Sequence, residues 1–137
     1  MKIKLCGVRT VADALLCANE GADEIGVIFA AASRRRVTVA EAKAIRDALP
    51  AQVPLVGVFL DAALEEVIRI AAEVGLQAAQ LHGEWPTGRA PLPLHAALQM
   101  LSAESLQPRP GAARLLLDGP AGGSGKSFAS TCAPKTV

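Results

Sequence analysis

The chain has 137 residues, with 14 basic against 13 acidic side chains and a formal net charge of +1. That length fits one domain with a sizeable core, and the balanced charge gives no footing for a nucleic-acid or membrane partner. Only three Phe and one Trp are aromatic, so the core is aliphatic and alanine-rich, and the longest apolar stretches, such as Val53 to Leu60, are far too short to span a bilayer.

The first β-type run, Ile3 to Cys6, is followed by a helix that Thr10 can cap. Leu15, Leu16 and Ala18 supply its apolar stripe, and Gly21 falls just past its end. Glu24 to Phe29 reads as a buried strand. Thr38-Val39-Ala40-Glu41 then reads as a capping box opening a helix that stops at Pro50. Leu55 to Phe59 is a third strand, and Asp61 is placed to begin the next helix. In that helix Leu64, Val67, Ile68, Ala71 and Val74 share one face, Glu65 and Arg69 pair on the other, and Gly75 ends it. Gln77 to Leu81 is a fourth strand running into His82-Gly83. Beyond it Pro86, Pro91, Pro93, Pro108 and Pro110 break the pattern, leaving room between Glu84 and Ala90 for only a very short helix. Leu94 to Leu101 is taken as strand over helix, and Ala113 to Leu117 is a clear strand.

Strand ends near Cys6, Phe29, Phe59, Leu81, Met100 and Leu117, with helical patterns between, predict βα units and a parallel sheet. The strands read as apolar on both faces, as in sheets covered by helices. An open doubly wound sheet and a (β/α) barrel both fit this pattern.

Two strand ends carry reactive groups followed by glycine: Cys6-Gly7, and Asp118-Gly119 leading to Gly122-Gly123-Ser124-Gly125-Lys126. A thiol and a carboxyl at strand ends suit proton transfer at a barrel rim. The three cysteines, Cys6, Cys17 and Cys132, are an odd count without CxxC spacing, so neither a zinc site nor a disulfide framework is expected. Cys17 reads as core or near-core, and Cys132 is assigned nothing. Reduced thiols and the lack of a signal-type apolar segment lead to the expectation of a soluble, cytoplasmic protein. The Gly-Ser-Gly-Lys-Ser run is not a P-loop, because the glycine needed five positions before Gly125 is Pro120.

Six blocks together resemble the phosphoribosylanthranilate isomerases. They are Lys4-Leu5-Cys6-Gly7 with Arg9-Thr10; Gly21-Ala22-Asp23 leading to Gly26-Val27-Ile28-Phe29; Ser33-Arg34-Arg35-Arg36-Val37; Val56-Gly57-Val58-Phe59; Gln80-Leu81-His82-Gly83-Glu84; and Leu116-Leu117-Asp118 with Gly122 to Phe128. The resemblance covers most of residues 2–128, in the family's order. It implies an α/β fold of the TIM (β/α)8 type acting in tryptophan biosynthesis without cofactor or metal. The substrate is a small phosphorylated molecule, N-(5-phosphoribosyl)anthranilate, rearranged to the carboxyphenylamino-deoxyribulose phosphate. Matched by position, Cys6 is the general base and Asp118 the general acid. Arg35 is the arginine near the anthranilate moiety, and His82 belongs to the fourth-strand motif. Taken alone, His82 reads equally well as a structural histidine. Gly122 and Gly123 are assigned to substrate binding, since their backbone amides can approach an anion.

The resemblance also sets an expectation about completeness. Barrels of this type have eight strands and usually about 250 residues; six strands at most are read here, in a domain over residues 1–128, with strands seven and eight missing and residues 129–137 an unpatterned tail, as after a truncation or a shifted frame. Such a chain is expected to expose two sheet edges, to lack a phosphate site on loops seven and eight, and to self-associate through the open edges.

Overall fold

The computed structural model describes residues 1–99, 107 and 109–118. Six strands, β1 (Lys4–Cys6), β2 (Glu24–Ile28), β3 (Leu55–Leu60), β4 (Ala78–His82), β5 (Leu94–Gln99) and β6 (Arg114–Asp118), alternate over the first four with helices α1 (Val11–Asn19), α2 (Val39–Ala48) and α3 (Leu64–Val74). All neighbouring pairs are parallel, and the strand order is β1-β2-β3-β4-β5-β6. A doubly wound sheet reverses its strand order at a switch point. This one never reverses, so the choice left open by the sequence falls to the barrel.

Two cross-sheet contacts show that the sheet is curled. Arg114 of β6 donates to Glu24 of β2 at 2.7 Å, although four strand spacings would separate them by roughly 19 Å in a flat sheet. Lys4 of β1 donates to Gln80 of β4 across three spacings. One face is therefore concave, and among the described residues β1 and β6 are the unpaired edges of an open barrel.

The convex face packs on the helices. Ile25, Val27, Leu55, Ala79 and Leu81 meet Ala14, Ala42, Ile45, Val67 and Val74 in one buried cluster, and Phe29 stacks on Phe59 with ring centroids 5.1 Å apart. Local chemistry sets the helix limits as read. Thr10 accepts from the Asp13 amide at 3.1 Å, Thr38 and Glu41 close a reciprocal capping box, and Gly75 ends α3 in the left-handed region.

Three local expectations are corrected. Ala63, not Asp61, caps α3, and without a side-chain bond; Asp61 sits at φ 47 and turns back to accept from the Glu84 amide at 3.0 Å. Arg69 pairs with Glu73 at 3.3 Å instead of Glu65, the alternative partner one turn along the same face. The concave face is not apolar: it carries Lys4, Glu24, Gln80, His82, His95 and Arg114 among its residues, because alternate positions of each strand turn inward.

Candidate active site

Residues paired in a parallel register share a face, so the pairings Lys4↔Glu24, Cys6↔Gly26, Gly26↔Val56, Val58↔Gln80, Leu60↔His82, Gln80↔His95, His95↔Arg114 and Gln99↔Asp118 define the concave side. Cys6 and Asp118 both lie on it, each the last residue of its strand. The thiol and the carboxyl thus occupy one rim, on the two edge strands, with His82 ending β4 between them.

Cys6 is exposed and leans over β2, where glycine alone leaves room: a Cβ on Gly26 would lie 2.9 Å from the Cys6 Sγ. Gly7, at φ 84, continues the chain beneath Arg35, whose Cδ would be 2.7 Å from a Cβ at that position. The loop after β2 therefore folds back and lays Arg35 against the end of β1, next to Cys6. Its neighbour Arg36 goes elsewhere, bridging to Ile28 and lining a separate cavity of about 420 Å³ with Thr38, Asp61 and Arg69. A second cavity, of about 310 Å³, opens beside His82, Ala97, Gln99 and Arg109 at the ends of β4 and β5.

Below the rim runs a polar layer that the sequence reading did not single out. Lys4 donates to the Gln80 side-chain oxygen, and the Gln80 nitrogen meets His82 Nε2 at 2.9 Å. Beneath them, buried Glu24 is paired with the half-exposed Arg114 at 2.7 Å, near His95. Burial pulls the Lys4 ammonium below its ordinary pKa; Cys6 and Glu24 oppose that pull, and Arg114 adds to it. Burial likewise lowers His82, against the Asp118 carboxylate and with the help of Lys4. His95 is lowered first by burial, then by Arg114, with Glu24 opposing and Lys4 adding. The signal that could have found this layer is two-residue spacing: Lys4 with Cys6, and Gln80 with His82.

Some expectations meet a different setting or none. Leu115 and Leu117, just before Asp118 on β6, turn to the convex side and are 41% and 36% exposed. Gly122, Gly123, Cys132 and the tail 129–137 lie outside the described residues. Cys17 is half-buried against the core. Among the described residues no group of three or more His, Cys, Asp or Glu is placed to hold a metal ion, and no helix is long and apolar enough to cross a membrane.

A profile of N-(5'-phosphoribosyl)anthranilate isomerase matches residues 3–137. The chain belongs to this family. The isomerase of Rubrobacter xylanophilus is 51% identical over 83 residues, a stretch covering 61% of this chain and 40% of that protein. The crystal structure of phosphoribosyl anthranilate isomerase from Thermus thermophilus superposes with a TM-score of 0.85 at 40% identity, over 96% of this chain and 69% of that one. Another phosphoribosyl anthranilate isomerase structure, in complex with reduced 1-(o-carboxyphenylamino)-1-deoxyribulose 5-phosphate, is 29% identical with a TM-score of 0.75 and covers 87% of this chain and 65% of that one. The chain thus spans roughly two fifths to two thirds of the lengths of these phosphoribosylanthranilate isomerases. The six strands and three helices of its described residues correspond to part of their barrel.

Proposed function

We propose that this chain carries the proton-transfer half of a phosphoribosylanthranilate isomerase site and catalyses the Amadori rearrangement of N-(5-phosphoribosyl)anthranilate. Asp118 gives its proton to the ribose ring oxygen as the C1–O bond breaks, and the anilino nitrogen lone pair closes to an iminium. The iminium acidifies the proton on C2, and the Cys6 thiolate removes it. The resulting enol relaxes to the ketone at C2 as its O–H proton leaves and a proton is delivered to C1, so the product is an isomer of the substrate. Arg35 holds the anthranilate carboxylate, a role suited to a planar guanidinium. Lys4 supplies the positive charge that a thiolate base needs close by. Gly122 and Gly123 contribute backbone amides to the anionic substrate, and the setting is cytoplasmic.

The observation that carries this reading is that Cys6 and Asp118 end their strands on one concave face, with Lys4 and His82 linked through Gln80 between them. Anthranilate-substrate turnover by the purified 137-residue chain tests it. Cys6→Ala and Asp118→Asn should each lower turnover by about 10²–10⁴-fold, the usual worth of a general base or acid. Turnover that survives both substitutions would remove these two residues from the chemistry.

A second reading has its own support: the chain is a weak or inactive barrel piece that associates through its open edges. Leu5 is 40% exposed on β1, and Leu115 and Leu117 are exposed on β6, all on faces that neighbouring elements cover elsewhere in the sheet. Size-exclusion chromatography over rising concentration separates the two. Turnover by the monomer supports the enzyme. Assembly without turnover at any concentration supports the fragment.

A further inference from the structure

The bond between Gln80 and His82 fixes more than a distance. The Lys4 ammonium has only donors, so the Gln80 group that meets it is the carbonyl oxygen. The Gln80 group left for His82 is then the NH₂, also a donor, and the atom it meets at 2.9 Å is Nε2. Nε2 must accept, which it can do only without a proton. An accepting Nε2 belongs to a neutral ring whose one proton is on Nδ1.

We propose that Lys4 and Gln80 are positioning residues that clamp His82 as a neutral, Nδ1-protonated imidazole on the rim it shares with Asp118, so that the acid has a neutral ring and not a cation on that rim. The clamp rests on the isomerase reading only for its purpose. A cationic ring beside a carboxyl group favours the carboxylate, which has no proton to give to a ring oxygen. A neutral ring adds no such bias. The charged and titratable groups of the concave face around His82 are Lys4 and Cys6 on β1, Glu24 on β2, His95 on β5, and Arg114 and Asp118 on β6, with Arg109 lining the cavity beside it; β3 presents Val56, Val58 and Leu60. Burial and Lys4 keep the ring below its ordinary pKa against the pull of Asp118, in the direction the clamp requires.

Nitrogen-15 NMR of histidine-labelled full chain reads the tautomer directly, without reference to turnover. The chain has two histidines, and His82→Gln assigns the signals by loss. At pH 7 His82 should show a protonated Nδ1 and a bare Nε2, and at pH 6 it should be less charged than an ordinary histidine, which is about three-quarters charged there. Lys4→Met frees the Gln80 amide to turn over, so both tautomers should appear. Gln80→Glu places an acceptor at Nε2 and should raise the titration midpoint by about one pH unit or more. An Nε2–H tautomer or an imidazolium in the native chain at pH 7 overturns the clamp, as does a Lys4→Met spectrum identical to the native one. Should Gln80→Glu fail to fold by circular dichroism, the native and Lys4→Met spectra still decide. A clamped His82 in a chain without turnover would sink the isomerase reading alone.

Discussion

Glycine at position 26 is a requirement of the thiol beside it. A methyl group there would lie 2.9 Å from Cys6 Sγ and 3.2 Å from Cys6 Cα, a backbone atom that cannot simply swing away. Gly26→Ala should therefore push β1 off β2 and destabilise the chain by about 1–3 kcal/mol, as overpacking does, read as a lower urea midpoint together with altered Cys6 reactivity toward a thiol reagent. Gly7→Ala acts by a different route. It forces a side chain into the left-handed region, at a cost of about 1–3 kcal/mol, and drives its methyl into Arg35. Its signature should be an increased KM for the anthranilate substrate, since the displaced group is the proposed carboxylate contact. The rim residues Cys6, Arg35, His82 and Asp118 were legible because each ends or follows a recognisable strand. Lys4, Gln80, Glu24, His95 and Arg114 were not. Each sits inside a short run whose apolar neighbours dominate, and only the register shows that these five point the same way.

At the scale of the elements, capping chemistry separates two helices that look equally well started in sequence. Around α2 the Thr38 hydroxyl and the Glu41 carboxylate exchange bonds with each other's amides, so Thr38→Ala should cost about 1 kcal/mol. The α3 helix begins at Ala63 with no side-chain bond. Ala63→Ser should add about 0.5–1 kcal/mol, visible as a higher urea midpoint at unchanged slope. Reading Asp61 as the start of α3 failed for a tertiary reason. Its carboxylate is drawn across to the amide of Glu84, in the loop after β4, a partner 23 residues away that no local pattern announces. Arg69 could pair with Glu65 or Glu73 by spacing alone, and the rotamer in the fold takes Glu73.

For the whole molecule, the curled sheet encloses two histidines that burial disfavours in their charged form. Both folded-state pKa values are lowered, so below the unfolded value of about 6.5 the unfolded chain binds more protons than the folded one. Stability should then be fully present above about pH 6.5 and should fall as pH drops from there toward the folded-state values, by linkage. Thermal unfolding at a series of pH values should show that slope, and His82→Gln should flatten part of it. The edges make a second prediction at this scale. Leu117→Lys places a charge on an exposed apolar position of β6; the proposed association through the open edges predicts that light scattering rises less with concentration for this variant than for the native chain, because edge charges block strand pairing.

The sequence by itself determined the alternation of strands and helices, their caps, and the two reactive strand ends, because each depends on neighbours within a few residues. The family followed from those same blocks. Tertiary structure alone decided that the strands run in unbroken order around a curl, since the same βα pattern serves sheets that reverse. It also decided that Lys4 reaches Gln80, and Arg114 reaches Glu24, across several strands. Those contacts depend on curvature, a property of the assembled sheet that no single segment encodes.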